Sequence, residues 1–375
     1  MKTTSPDETL RASRYGFAVP SFGRTGRLAM ALAVLLGVGA VRTAQAQPST
    51  DKAASVLVFP LYDSRDTTDT ILSITNTNTS SEYCEEADTR AGDVRLHFQY
   101  IDGDTWADFP RFEHLTPGDT LSVLTSQHNP EWSYGFVVVT AFSPVDSSQA
   151  ISFDWLIGSA TVVRADMDRA WSYRPCGFRA IADRTDPCEY VDTDFDVDSA
   201  RDFDGEEYER FPRRLRLASF LSKNESFDNR IALLTLASSI HQAETEFVIW
   251  NNIEQKFSRT LQFSVFFEGD LSEISQIVRD LDGNRDEIGF LDIESGWIEI
   301  EGTRILDAAG NPVLNRGGGP AIPPILAVYG GSAAGTDAAY GHALHFDGVL
   351  DGLEFGMGDR DPQEADPIQA VGTGR

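Results

Sequence analysis

The sequence has few positively charged residues. It contains 31 Lys and Arg against 58 Asp and Glu, which gives a formal net charge of −27. Lys is especially scarce, a bias to which we attach no mechanistic meaning. Such an excess of negative charge repels the phosphate backbone of nucleic acids and the surfaces of anionic membranes. We therefore exclude nucleic acid and anionic lipid surfaces as partners.

Sequence signatures of common catalytic sites are also missing. The sequence has no H-E-x-x-H pair for a catalytic zinc, and no glycine loop follows a strand as phosphate and dinucleotide sites require. Ser332 lies in Gly-Gly-Ser-Ala-Ala, which lacks the G-x-S-x-G frame of a nucleophilic serine. No pair of carboxylates stands out for glycoside hydrolysis. The missing frames favour a non-enzymatic protein.

Cysteine is scarce, with three residues and no C-x-x-C spacing, so we predict no zinc site. Cys176 and Cys188 flank a short segment that contains Gly177 and Pro187. A bridge that closes a loop of this size stabilises a fold by about 3 kcal/mol in the chain-entropy model. In an oxidising compartment we predict the disulfide Cys176–Cys188, which leaves Cys84 either buried or free.

Long apolar runs are absent too. The apolar stretch at 28–41 is shorter than the ~20 residues that a membrane span needs. Arginines precede it, and Ala44-Gln45-Ala46 follows it as a small-x-small cleavage site, so we predict a signal peptide at 1–46. Its removal takes away six basic and two acidic residues and leaves 25 basic and 56 acidic ones, a net charge of −31. We expect a secreted or periplasmic protein with no membrane insertion after cleavage.

The sequence is rich in short alternating segments. At 94–101 the apolar residues Val94, Leu96, Phe98 and Tyr100 share one face, which is typical of a half-buried strand. Similar segments recur with turn signals between them, and long helical periodicity is lacking. We predict a mainly β protein made of two tandem antiparallel immunoglobulin-like β-sandwich domains, with one short helix in the second, at 270–280.

Composition sets the expected domain boundaries. The segment 176–210 is rich in Asp, Glu and Arg and poor in aliphatic residues, which is typical of a linker or an exposed loop. We predict the following organisation: signal peptide 1–46, first sandwich domain 47–175, acidic linker 176–210, second sandwich domain 211–358 and disordered tail 359–375.

Two stretches of the sequence resemble each other. The segment 135–160 begins with Gly and an aromatic residue before a β-branched run, and it ends in an apolar strand closed by Gly-Ser-Ala. The segment 296–333 has the same features in the same order. We interpret the pair as a degenerate internal duplication. The alternative is that two unrelated sandwiches share period-2 patterns, which are not very distinctive.

Several short motifs resemble those of an uncharacterised group of exported bacterial β-sandwich proteins. The resemblance covers about half of the predicted mature chain and implies a β-sandwich fold and an export compartment. The group has no assigned activity, so no catalytic residue is carried over. The segments that show the resemblance are 56–60, 74–79, 115–120, 127–130, 151–159 and 251–258.

One loop has the residue types of a calcium site. Asp280, Asp282, Asn284 and Asp286 place oxygen ligands at alternate positions, as a hard cation with six to eight oxygen ligands requires. The pattern departs from a full EF-hand loop, which needs Gly and an acid at later positions where this chain has Arg285 and Leu291. We predict a possible Ca²⁺ site here and no other cofactor. The alternative is a solvated turn at a helix end.

Two further clusters invite a metal interpretation. Asp192, Asp194, Asp196 and Asp198 alternate and would suit Ca²⁺ or a basic partner, but we favour a solvated acidic linker. In His342-x-x-His345-x-Asp347 only the last two residues share a face of a strand, so we expect a structural role.

The six tryptophans are candidates for sugar stacking. Trp155, Trp250 and Trp297 lie inside strand patterns, and we predict that they belong to the core. Trp106 and Trp132 lie in predicted loops and are better candidates for exposed contact.

Together these features favour an exported, non-enzymatic structural or binding module of the cell envelope or extracellular space, stabilised by calcium if the loop binds it. Its partner would be an envelope or extracellular protein or a glycan. The alternative is a secreted polysaccharide hydrolase that uses acidic residues.

Overall fold

Nineteen β-strands and two four-residue helices form the regular structure of the described residues. The computed structural model describes residues 52–165, 169–181, 188–193, 203, 207–209, 212, 214–221, 227–235, 241–251, 254–274, 295–314, 318–323, 325–333 and 339–343. All of them lie within one structural unit, Gln45–Arg375. None of the helices in these ranges has the length and apolarity that a membrane span requires.

The first half of the chain forms two main sheets. Its elements are β1 (Val56–Asp63), β2 (Thr68–Asn76), β3 (Tyr83–Cys84), β4 (Thr89–Arg90), β5 (Val94–Asp102), β6 (Asp108–Leu115), β7 (Thr120–Leu124), α1 (Thr125–His128), β8 (Tyr134–Phe142), β9 (Leu156–Arg164), β10 (Arg169–Tyr173) and β11 (Cys176–Phe178). Sheet 1 has the order β11-β1-β8-β5-β6, and sheet 2 has the order β10-β9-β2-β7. Strands β3 and β4 form a separate hairpin.

The second half forms two more sheets. Its elements are β12 (Arg214–Leu221), β13 (Phe227–Thr235), β14 (Gln242–Asn251), β15 (Lys256–Phe263), β16 (Phe266–Gly269), α2 (Leu271–Ile274), β17 (Ser295–Leu306), β18 (Ile325–Ala333) and β19 (Ala339–Ala343). Sheet 3 has the order β12-β17-β14-β15, and sheet 4 has the order β16-β13-β18-β19. The predicted helix 270–280 begins as α2, and its part beyond Ile274 lies outside the described residues.

The prediction of a mainly β protein built from antiparallel sheets is confirmed, because every assigned strand pair is antiparallel. The immunoglobulin-like character of the two domains stays a prediction. A short helix is also present in the first half, where α1 follows β7.

Sheet 2 packs on one face of sheet 1 and sheet 4 packs on the other, while sheet 3 covers the far face of sheet 4. The edge strand β10 of sheet 2 also reaches sheet 4, where Trp171 lies against Gly330. Gly158 of sheet 2 lies against the side chains of Leu57 and Phe59 in sheet 1. On the other side of sheet 1, the ring of Phe136 stacks on that of Phe266 from sheet 4, with centroids 6.2 Å apart. Sheet 1 is therefore covered on both faces, which explains why all eight residues of β1 are buried.

Successive side chains of β13, in sheet 4, point alternately into two different cores. Ala232 and Leu234 belong to the same apolar cluster as the first-half residues. Ile231 and Leu233 belong to a second cluster with Ile298 of sheet 3. Because neighbouring side chains on a strand point to opposite faces, one strand supplies residues to both cores.

The two halves have the same strand order, apart from the additional edge strand β11 of sheet 1. Across sheet 1 the strands follow the order β1-β8-β5-β6, and across sheet 3 their counterparts follow the order β12-β17-β14-β15. Sheets 2 and 4 match in the same way. The order β10-β9-β2-β7 in sheet 2 corresponds to the order β19-β18-β13-β16 in sheet 4. In both halves a short helix follows the fifth of these strands.

A glycine begins the matching stretches in both halves. A Cβ added to Gly135 would lie 1.9 Å from the carbonyl oxygen of Ile101, and one added to Gly296 would lie 1.9 Å from that of Trp250. Gly135 also has a φ of +147°, which favours glycine. The pairing register with the neighbouring strand also shifts near each glycine, before Tyr62 in β1 and before Phe220 in β12.

Part of the segment that composition predicts to be an acidic linker lies within the first half. Its residues Cys176–Phe178 form β11 and pair with β1. Phe203 and Tyr208 belong to the first core, and the ring of Phe203 lies 4.8 Å from that of Phe178. Scattered aromatic residues therefore anchor a stretch whose average composition is polar.

Candidate functional site

The predicted calcium loop lies outside the described residues, as do several members of the other two predicted clusters. The residues concerned are Asp280, Asp282, Asn284, Asp286, Asp194, Asp196, Asp198, His345 and Asp347. Within the described ranges, no three His, Cys, Asp or Glu residues come together in a group that could hold a metal ion. Ser332 and His342 lie in β18 and β19 of sheet 4.

The disulfide prediction is wrong in one partner. The bond joins Cys84 to Cys188, with 5.5 Å between their Cα atoms, and Cys176 is a free thiol. Cys176 pairs with Val58 across sheet 1 and is 1% exposed, so strand pairing fixes it in the core. Burial raises the pKa of its thiol to about 12. Short sequence spacing favoured the local bridge, whereas the actual partners are 104 residues apart.

Trp250 and Trp297 form a stacked pair on the outward face of sheet 3. Their ring centroids are 3.8 Å apart and the rings are nearly parallel. Lys256 lies 5.3 Å from the centroid of the Trp250 ring, and Arg216 lies 5.9 Å from that of Trp297, so one cation lies beside each ring of the pair. The ring faces contact protein side chains, which disfavours a sugar-stacking platform at this pair.

The predicted exposures of the other tryptophans are also wrong. Trp155 is 46% exposed, and neither Trp250 nor Trp297 belongs to a buried cluster. Trp106 and Trp132, which the sequence places in loops, are half-buried and pack against the first core.

A closed ring of ion pairs joins the two halves. Arg65 binds Asp63 at 2.9 Å and Glu268 at 2.6 Å. Arg230 of β13 binds the same two carboxylates at 3.2 Å and 2.8 Å. The carboxylate side chains are 4% and 6% exposed. The guanidinium of Arg65 also lies 4.0 Å from the ring centroid of Tyr134.

The pKa values of the two carboxylates in this ring are shifted in opposite directions. Burial alone would raise the pKa of Asp63, but the hydrogen bonds and charge of Arg65, with the charge of Arg230, hold that pKa below its ordinary value. For Glu268 burial outweighs the same two arginines, and its pKa is raised. Both carboxylates are committed to arginines, so the ring is a structural junction between the halves.

A second polar cluster holds the start of β1. Lys52 forms an ion pair with Glu209, and the hydroxyl of Ser55 donates to Asp154 at 2.6 Å. Burial lowers the pKa of Lys52 against the opposing effect of Glu209, and burial raises the pKa of Asp154. The Ser55 oxygen accepts the backbone N–H of Phe153 at 2.8 Å. These bonds fasten separate segments to one another.

A third polar chain lies at the edge of the first half. The Tyr100 hydroxyl lies 2.7 Å from Nδ1 of His128, and Nε2 of His128 lies 3.3 Å from Glu113. Burial lowers the pKa of His128, although Glu113 opposes this. Neutral imidazole can accept from Tyr100 and donate to Glu113. Because Tyr100 is fully buried, its hydroxyl cannot reach a substrate, and the chain fastens α1 to β5 and β6.

The outward face of sheet 2 differs from these networks because it holds almost no charge. We call its three central rows the hydroxyl face, and none of these described residues is ionisable. Its members, row by row across paired strands, are Thr120, Thr75 and Ile157; Ser122, Ser73 and Ser159; and Leu124, Ile71, Thr161 and Ser172. The adjacent Asp69 accepts hydrogen bonds from Thr125 and Ser126 of α1, at 3.1 Å and 2.5 Å.

Hydroxyl groups on this face bond to one another across the strands. Ser73 lies 2.8 Å from Ser122, and Thr75 lies 2.9 Å from Thr120. A third such bond joins Thr161 and Ser172 at 2.8 Å. Each bond uses hydrogen-bonding capacity that water would otherwise satisfy. Together with Ile157 (42% exposed) and Leu124 (37% exposed), these pairs give the face a mixture of hydroxyl and apolar groups.

In the second half, the face of sheet 4 that corresponds to the hydroxyl face is buried. Counted from the paired ends Asn76–Leu156 and Thr235–Ile325, Ser73 and Thr75 correspond to Ala232 and Leu234. Those two residues lie in the interface between sheet 4 and sheet 1. The hydroxyl face is therefore the first-half counterpart of a docked face.

Sequence reasoning missed this face, although its signal is visible. In 71–75 and 157–161 the outward positions hold Ser, Thr and Ile, whereas the outward face of sheet 3 holds charges such as Arg216 and Glu299. Neither protein-family models nor curated proteins provide a match to this chain.

Proposed function

We propose that this chain is a non-enzymatic module that works outside the cytoplasm and makes its functional contact through the hydroxyl face. The observation that supports this most is an uncharged, partly apolar four-strand surface on a protein with a net charge of −27. Depletion of charged residues is typical of the central part of protein interfaces.

The polar networks point the same way. The buried carboxylates of Asp63, Glu268 and Glu209 are held by arginine or lysine, and the carboxylate of Asp154 accepts from Ser55. Catalytic carboxylates need a pKa suited to proton transfer and access to a substrate. Here these groups stabilise the fold instead, which favours a module over the alternative hydrolase.

The test compares two charged variants in a cell-fractionation experiment. Ser122→Glu places a charge on the hydroxyl face, and the matched control Ser258→Glu places one on an exposed strand of sheet 3. We expect wild type and the control to be retained with envelope or extracellular material, and Ser122→Glu to be lost from it. Equal retention of all three proteins would contradict the proposal. So would release of reducing ends from a polysaccharide by the purified protein.

Export is part of the proposal. The Cys84–Cys188 disulfide supports it, because disulfides persist in oxidising compartments. N-terminal sequencing of the exported protein should begin at Gln47, after the predicted signal peptide. A mature chain that retains Met1 would contradict it.

Calcium stabilisation also remains our proposal. It rests on the oxygen ligands that the sequence places at Asp280, Asp282, Asn284 and Asp286. Binding to the folded protein would raise its melting temperature with calcium and lower it with a chelator. No difference between the two melting curves, or the same shift in Asp282→Ala, would remove the hypothesis.

We further propose that the two halves are repeats of one immunoglobulin-like sandwich unit. The common strand order, the common position of the short helix, and the matching glycines Gly135 and Gly296 support this.

A further inference from the structure

We propose that the side chains of Lys52 and Asp154 join through an intramolecular amide bond, an isopeptide crosslink, with the carboxylate of Glu209 as the proton carrier. The three residues belong to the polar cluster that holds the start of β1. The inference goes beyond the proposed function and is independent of it, because it concerns a covalent modification inside the fold and not the hydroxyl face.

Neighbouring backbone groups hold the three side chains in one place. The amine of Lys52 forms an ion pair with Glu209, and their side chains are 17% and 3% exposed. Arg179 donates its backbone N–H to Glu209 at 2.9 Å. The next residue, Ala180, donates its N–H to Asp154 at 3.1 Å, and successive amide nitrogens of a chain are at most about 4 Å apart. Groups held close together in this way react far faster than free ones.

The carboxyl group of Asp154 is arranged to accept a nucleophile. The hydroxyl of Ser55 and the N–H of Ala180 both donate to its Oδ1, at 2.6 Å and 3.1 Å. The N–H of Phe153 donates to the Ser55 oxygen at 2.8 Å and so directs the Ser55 proton toward Asp154. Donors placed like this stabilise the negative charge that develops on a carbonyl oxygen during addition. Because both bonds go to Oδ1, the other oxygen, Oδ2, is the leaving group.

The surroundings favour the protonation states that amide formation needs. The reaction requires a neutral amine and a protonated carboxyl, the reverse of their ordinary states at neutral pH. Burial is the largest effect on both groups, and it lowers the pKa of Lys52 and raises that of Asp154. The charge of Asp154 also acts on the pKa of Lys52, so the amine lies within the electrostatic reach of both carboxylates.

The reaction balances with water as its by-product. Nζ of neutral Lys52 adds to Cγ of protonated Asp154, and a C–N bond forms. Glu209 takes a proton from Nζ and delivers it to the Oδ2 hydroxyl of Asp154, so the C–O bond breaks and one water leaves. The amide remains, and Glu209 regains its negative charge. The step needs no oxidant, reductant or external substrate, which agrees with a non-enzymatic module.

The experiment measures the intact mass of the purified mature protein after denaturation and reduction of its disulfide. We expect a mass lower than that of the sequence by one water molecule, and a branched peptide that links Lys52 to Asp154 after proteolysis. Lys52→Arg keeps a positive charge beside Glu209 but has no reactive amine, and Asp154→Ala has no carboxyl. Both variants should show the full sequence mass. The matched control Lys256→Arg, at the edge of sheet 3, should show the same loss of water as wild type.

Glu209→Gln tests the proton carrier. It keeps the shape of the side chain but removes the base, so we expect this variant to be purified unlinked and to form the link at least about ten-fold more slowly than wild type. Linking as complete as in wild type would overturn the role of Glu209.

The crosslink itself is overturned by a wild-type protein of full sequence mass, by a loss of water that persists in Lys52→Arg, or by a link that maps to other residues. The wild-type mass decides even if a variant fails to fold, which circular dichroism checks. Neither result bears on envelope retention, so the proposed function and this inference can fail separately.

Discussion

Asp63 and Glu268 share the same two arginines, yet the pKa of Asp63 is lowered and that of Glu268 is raised. The difference follows from local hydrogen bonds. Arg65 donates to Asp63 from its side chain and also from its backbone N–H. Glu268 accepts a hydrogen bond from the side chain of Arg65, and burial prevails there.

We predict that Asp63→Asn destabilises the fold by roughly 1–3 kcal/mol at pH 7, since it removes the buried carboxylate that Arg65 and Arg230 share and leaves these half-buried guanidiniums only Glu268. A lowered folded-state pKa stabilises the protein at pH values above the unfolded pKa of about 3.9, and this contribution is lost as pH falls through the folded value. Urea unfolding of wild type and variant should therefore give a large difference at pH 7 that shrinks below about pH 4.

Glu268→Gln is the matched control for this prediction. Because the pKa of Glu268 is raised, its ionised form opposes folding at neutral pH, and the loss of its charge removes that cost. We expect Glu268→Gln to cost less than Asp63→Asn at pH 7. An equal loss in the two variants would contradict the assignment.

The disulfide gives a second prediction at the residue scale. Cys84 and Cys188 close a loop of about 100 residues, for which the chain-entropy model gives a stabilisation of about 4.7 kcal/mol. Reduction should therefore lower the melting temperature. In the native protein a thiol reagent should label no cysteine before reduction and two after it, because Cys176 is buried and its thiol is protonated. A third label in the folded protein would place Cys176 at the surface.

The cysteines also show where sequence reasoning stops. Spacing along the chain favours Cys176 as the partner of Cys188, but a bridge depends on distance in space. Only the pairing of β11 with β1 and of β3 with β4 shows that Cys176 is internal and Cys84 is available. Tryptophan exposure failed for a related reason, since a period-2 pattern does not reveal which of two faces another sheet covers.

At the scale of elements, alternation and turn residues were enough to predict most strands. The predicted strand at 94–101 corresponds to β5, and its four apolar residues are buried. The similarity of 135–160 to 296–333 corresponds to matching strands β8 with β17 and β9 with β18. Polar, irregular stretches were less readable, because a few aromatic residues such as Phe203 and Tyr208 place a segment in the core while its average composition remains acidic.

Gly296, at the start of β17, allows a prediction about the stability of the β14–β17 pair. Gly296→Ala would place a methyl group 1.9 Å from the carbonyl oxygen of Trp250, so the paired strands β14 and β17 must separate. We expect a loss of about 1–3 kcal/mol, as for other overpacked sites. The neighbouring variant Ser295→Ala adds no atom and should change stability by less than about 0.5 kcal/mol. Chemical denaturation of both variants measures this, and equal stabilities would show that the close approach is relaxed without cost.

At the scale of the whole molecule, corresponding faces of the two halves differ in whether another sheet covers them. Sheet 4 turns Ala232 and Leu234 toward sheet 1, while the corresponding Ser73 and Thr75 of sheet 2 face outward. The face of sheet 1 that sheet 4 covers carries the paired residues Val58 and Val138. At the matching positions of sheet 3, the outward face carries Arg216 and Glu299. Identical strand orders therefore become distinct layers through the side chains on one face.

This arrangement makes the two halves one cooperative unit, and a pair of corresponding residues tests it. Leu234 is fully buried, so Leu234→Ala should destabilise the protein by about 2–5 kcal/mol. Thr75 holds the corresponding position on the hydroxyl face, and Thr75→Ala should cost about 0.5–1.5 kcal/mol, the worth of its bond to Thr120. Because Leu234 lies between the halves, its loss should lower a single thermal transition, with calorimetric and van't Hoff enthalpies that agree. If Leu234→Ala instead splits the transition and leaves one half at the wild-type melting temperature, the sheet 1–sheet 4 interface does not couple them.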